Sequence, residues 1–164
     1  MVRRGDSTNG LSRLRAGILN QNEPLYAWTR GMFLRELSEG LTHAGHVDEV
    51  LAVLRQGIDR RERTEENWLM AEFLRLNGEL LARSGTPDAI AVADGHFQQA
   101  IDLSRRQGAL AFELRAATSR ARSRVAQGHC DEARQILAPV YNRFTEGFDT
   151  TDLKAAKALL DTLL

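Results

Sequence analysis

The sequence predicts an all-α protein, an array of about eight helices stacked in pairs. Three observations predict it. Leu, Ala, Arg and Glu are abundant while only three of the 164 residues are Pro, a composition that favours helix over strand. Apolar side chains recur three and four positions apart along most of the chain, the period of one helical face. A helix-pair pattern hinged on a glycine occurs three times, at Gly45, Gly85 and Gly128. The step from Gly45 to Gly85 is 40 residues, as is that from Leu34 to Leu74, and the step from Gly85 to Gly128 is 43. Stacked helix pairs bury a continuous core and present an extended surface for holding another molecule.

The elements follow in order. Residues 1–10 carry no helical pattern and are expected as a disordered leader. Leu11, Leu14, Ile18 and Leu19 mark a short amphipathic helix, ended by Asn20-Gln21-Asn22-Glu23-Pro24 because the residue before a proline resists helical angles. A first full pair spans about 25–61. Its first helix carries Trp28, Phe33, Leu34, Leu37 and Leu41, and its second Val50, Val53, Leu54 and Ile58.

The second pair, about 67–107, opens with a helix over Asn67 to Ser84 presenting Trp68, Ala71, Leu74, Gly78 and Leu81. A glycine in mid-helix costs ~1 kcal/mol relative to Ala, so Gly78 predicts a close helix–helix approach. Thr86-Pro87-Asp88 is a strong start signal: a capping hydroxyl, proline at the first helical position and an acid in the first turn. The helix it opens carries Ala93, Phe97, Ala100, Ile101 and Leu103.

The third pair, about 109–146, has one helix over Ala109 to Gln127 and another from Asp131 with Ala133, Ile136, Leu137 and Val140. Pro139 predicts a kink or break, since proline removes one hydrogen bond and crowds the preceding turn. Tyr141, Phe144 and Phe148 are expected to cluster. A capping helix over 150–163 turns Leu153, Ala156, Leu160 and Leu163 inward. The pattern small, large apolar, small stands at Ala93-Phe97-Ala100, and Val50-Leu54-Gly57 and Ala133-Leu137-Val140 each depart from it at one small position.

Composition excludes several functions. The 22 basic and 22 acidic side chains balance, so the excess that neutralises phosphates in a nucleic-acid binder is missing, as is a general attraction to an anionic membrane. Cys130 is the only cysteine, which rules out an intrachain disulfide and suits a reducing cytoplasm. No apolar stretch approaches the ~20 residues that span a bilayer.

At these positions the chain resembles tetratricopeptide-type arrays, although its 40-residue step exceeds their 34-residue period. More narrowly, Ala71-Glu72-Phe73-Leu74-Arg75-Leu76-Asn77-Gly78-Glu79-Leu80-Leu81, Phe97-Gln98-Gln99-Ala100 and the tail from Ala138 to Thr150 resemble the C-terminal repeats of large bacterial signalling proteins. There, class III cyclase or DNA-binding domains precede a STAND-type ATPase and such repeats. The resemblance covers roughly residues 28–164. It implies a right-handed superhelix and a sensor or scaffold role. The leading helix over 11–22 resembles the second half of an upstream repeat. No phosphate loop of the Gly-x-x-x-x-Gly-Lys-Ser/Thr type and no cyclase metal-binding aspartate pair is present. The stretch Ala117 to Arg124 departs from the family by its polarity, which predicts a partly exposed helix or Arg stems lying over apolar surface.

In such arrays the first helix of each pair lines the concave face. The resemblance therefore places Arg35, Glu39 and His43, then Arg75 and Glu79, then Arg115, Ser119 and Arg122 there. Several guanidinium forks in one groove suit a carboxylate or an acidic peptide. Read blandly, Arg75 and Glu79 are a solvated i,i+4 pair worth a few tenths of a kcal/mol. His43, His46, His129 and Cys130 do not form a metal shell, because the two groups sit in turns some 80 positions apart. No catalytic residue, cofactor or metal is expected. The expected function is a cytoplasmic, non-enzymatic interaction or regulatory module for another protein or peptide. The alternatives are a homodimer or larger self-assembly through the apolar side of Leu11–Leu19, and a small-molecule sensor inside the superhelix.

Overall fold

The computed structural model describes residues 70–163 together with Glu49, Val50 and Ala52. These residues form five main helices: α1 (Met70–Ala82), α2 (Pro87–Arg106), α3 (Leu110–Ala126), α4 (Cys130–Tyr141) and α5 (Thr151–Asp161). No strand occurs among the described residues. The leading helix at 11–22 and the first pair at 25–61, apart from those three residues, lie outside them, as do Arg35, Glu39 and His43.

The helix ends form where the local chemistry puts them. Thr86 takes an extended conformation and its hydroxyl accepts the Ala89 amide at 3.4 Å, with Pro87 opening α2 and Asp88 in the first turn. Gly108 and Gly128 end α2 and α3 with φ of 66° and 83°, angles that a Cβ resists. After each, the chain closes back on the helix. The Ala109 amide donates to Ser104 at 2.9 Å and the Gly108 amide to Arg105 at 3.2 Å. His129 likewise donates to Arg124 and Gly128 to Val125, both at 2.9 Å. These are paired Schellman bonds, which satisfy carbonyls the helix leaves open.

Consecutive helices pack as hairpins, α1 on α2 and α3 on α4, while α1, α3 and α5 also follow one another side by side. Helix α3 touches all four others. The small-large-small pattern supplies the core: Ala93, Phe97 and Ala100 are buried, and so are Ala133, Leu137 and Val140. Gly78 faces Phe97 directly. A Cβ built on it would stand 2.6 Å from Phe97 Cε1, so this glycine exists to let α1 and α2 close on the ring.

Of the kink or break expected at Pro139, the break does not occur: helix α4 runs through it to Tyr141. The bond that proline forfeits lies in the last turn, on an exposed side of the helix, where it costs least. Helix α3 is exposed at Ala111, Arg122 and Ala126, but much of its small and polar stretch is interior. Ala116, Ala117, Thr118, Ser119 and Ala121 are all buried, since a helix clasped by four neighbours has room for small side chains rather than large apolar ones. The aromatic cluster forms in part. Tyr141 and Phe148 stack at a tilted 6.1 Å and Phe144 packs on the core, while Phe148 remains about half exposed.

Candidate functional site

The side-by-side packing of α1 and α3 joins four of the sequence-predicted groove residues into one network. Arg75 donates from Nε to Glu72 Oε2 at 3.1 Å, from Nη2 to Glu72 Oε1 at 2.6 Å, and from Nη1 to Glu79 Oε1 at 2.5 Å. Ser119 of α3 donates its hydroxyl to Glu79 Oε1 at 2.6 Å. Arg115, one turn earlier on α3, places Nη2 2.8 Å from Glu72 Oε1. Its Nε also stands 3.8 Å from Asp152 of α5, so the network crosses three neighbouring helices. Arg122 continues the same stripe of α3 but is exposed and joins none of these bonds.

Burial decides what this network is. Glu72 is 1% exposed and Arg75 7%, so the Arg75 pairs are far from the solvated surface pair that spacing suggests. Burial opposes the Arg75 charge, but the hydrogen bonds and attraction from Glu72 and Glu79 overcome it and raise its pKa above the ordinary value. Glu72 balances Arg115 and Glu79 balances Arg75, while Asp152 adds a further, half-exposed carboxylate at the Arg115 end. Within the two pairs the accessible parts are Glu79 and the edge of Arg115, whose side chain is 19% exposed.

Sequence reasoning missed the buried carboxylates. Glu72 holds two guanidinium groups, yet it reads as an ordinary acid in the first turn of a helix. Only its place within the unbroken buried run Met70–Leu76 gives it away. Glu113 is likewise 1% exposed, accepting Arg105 Nε at 3.1 Å from the end of α2 and Arg143 Nη1 at 2.6 Å from beyond α4. A third cluster lies between α2 and α3. Asp94 receives both branches of Arg120, at 2.8 and 3.0 Å, while Arg124 Nη2 stands 2.9 Å from it. Partial burial raises the Asp94 pKa, but the hydrogen bonds and charges of Arg120, then Arg124, outweigh it and hold the carboxyl below its ordinary 3.8.

The remaining candidates do not converge. His129 lies at the start of α4 beside the exposed Cys130, its Nδ1 3.6 Å from Glu132. Among the described residues no group of three or more His, Cys, Asp or Glu stands close enough to hold a metal ion. None of the described helices is long and apolar enough to cross a membrane. Comparison with protein-family models, with curated proteins and with solved structures yields no match to this chain.

Proposed function

We propose that this chain is a non-catalytic interaction module, a right-handed tetratricopeptide-like superhelix of about eight helices that docks an acidic peptide or domain segment of another protein. In this reading the setting is a bacterial signalling ATPase or cyclase, as a part of it or a partner to it. The observation that carries the proposal is the ladder Arg115–Glu72–Arg75–Glu79–Ser119. It puts residues 40 positions apart in sequence, such as Glu79 and Ser119, into direct contact across adjacent helices. Such a repeat-to-repeat ladder fixes side chains before a ligand arrives, which lowers the entropy lost on binding. Arg122, exposed on the same stripe, supplies a guanidinium outside these pairs for a carboxylate of an acidic segment.

The test uses Arg122→Glu and Arg115→Gln. Arg115→Glu is avoided because it would set a second carboxylate against the buried Glu72. Wild type and the double variant, both confirmed helical by circular dichroism, are used for affinity capture. The interacting segment is then mapped, synthesised and titrated against each. Affinity should fall at least tenfold in the variant and weaken with added salt. Equal affinity in both proteins would remove this face as the docking site.

A further inference from the structure

The N-terminal turn of α3, the connection from α4 to α5 and the start of α5 line a half-open cavity of about 390 Å³. Its apolar wall comes from Leu110, Leu114, Phe144 and Leu153. The volume falls within the ~300–1,000 Å³ of pockets that engulf a ligand. Three charged residues also line it, Arg143, Glu146 and Asp152. The Arg143 charge is taken up by the buried Glu113 at 2.6 Å, and Asp152 faces Arg115 at 3.8 Å while half exposed. Glu146 is exposed and has no partner among the described residues. The same holds for Asp149, which sits between the lining residues Gly147 and Thr150. The uncompensated charge around this apolar cavity is therefore negative.

The Leu11–Leu19 segment complements both properties. Leu11, Leu14, Ile18 and Leu19 recur at helical spacing, Arg13 and Arg15 lie between them, and residues 7–22 contain no acidic side chain. We infer that the cavity between α3 and α5 docks the Leu11–Leu19 segment of a second copy of this chain. Apolar side chains of the segment enter the space lined by Leu110, Leu114, Phe144 and Leu153. Arg13 and Arg15 meet Glu146 and Asp149 at its rim. The contact is heterologous, joining a segment of one copy to a cavity of the next, so each added copy offers another free cavity and assembly grows with concentration. The rim pairs are solvated, so salt weakens it.

Sedimentation velocity on the full chain across a concentration series tests the inference. The expected result is a sedimentation coefficient that rises with concentration and returns to the monomer value with excess synthetic peptide of residues 8–22. A scrambled peptide of the same composition should leave the assembly intact. Two variants probe the cavity from exposed positions. Ala111→Trp fills its mouth, and Glu146→Arg with Asp149→Arg reverses its rim. Each should raise the concentration needed for association at least tenfold, and the charge pair decides the matter should the Trp variant fold poorly. A chain that stays monomeric throughout overturns the inference. So does an assembly that ignores the peptide and the charge variant.

Discussion

Replacing Gly78 by alanine sets two opposed and measurable effects against each other. In an ordinary mid-helix position the change gains ~1 kcal/mol, because glycine surrenders more backbone freedom on folding. Here the added Cβ would stand 2.6, 2.8 and 3.0 Å from Cε1, Cδ1 and Cζ of Phe97. Ordinary contact begins at 3.4 Å, so the ring must withdraw by about 0.8 Å. Phe97 is only 1% exposed, with Ala93 and Ala100 fully buried on the same helix, and has nowhere to go without displacing α2. Overpacking of a tight core costs ~1–3 kcal/mol, which exceeds the propensity gain. The net expectation is a loss of ~1 kcal/mol, seen as a fall of ~2–4 °C in the melting midpoint for a domain of this size. Thermal and urea unfolding followed by circular dichroism measure it. A double-mutant cycle with Phe97→Leu, which trims the offending ring edge, should turn Gly78→Ala neutral or favourable. A Gly78→Ala protein at least as stable as wild type in the Phe97 background would refute the close-approach argument.

Other predictions follow from the buried charges and the turns. Glu72→Ala leaves Arg75 buried without its main acceptor and should cost ~3–5 kcal/mol in chemical unfolding. Glu113→Ala should cost less, ~1–3 kcal/mol, because Arg105 and Arg143 are half exposed and can rehydrate. Partial burial holds the His96 pKa below its ordinary 6.5, so the unfolded chain binds that proton more readily. The melting midpoint should accordingly be steady above pH 6.5 and fall as pH drops through that value, a step that His96→Gln should flatten. Asp94 adds a second loss only further down, as pH falls below 3.8 through its depressed pKa. Gly128→Ala should cost ~1–2 kcal/mol through its positive φ, with nothing within 4 Å to add a clash.

The sequence by itself determined the local structure of the described part. Helix ends at Thr86-Pro87, Gly108 and Gly128 are written in residues whose own backbone and side-chain preferences suffice, so no distant partner is needed to find them. Apolar periodicity gave the buried positions of α2 and α4, and Gly78 announced its contact because an unforced glycine there would be a net cost. Arg75, Glu79, Arg115 and Ser119 were put on one face through the resemblance to helical repeats, and the packing of α1 beside α3 brings them into contact.

Only the tertiary structure decided what that face is. A charged residue looks the same in sequence whether it is solvated or buried against a complementary charge, since the difference lies in helices brought together from elsewhere in the chain. Thus Arg75 is buried rather than solvated, Glu72 and Glu113 are interior anchors, and Thr118 and Ser119 of α3 lie in a crowded centre. Small and polar side chains are what four neighbouring helices leave room for. The cavity between α3 and α5 has the same origin, since its walls come from segments some 35 residues apart, from Leu110 to Thr145, that no local pattern connects.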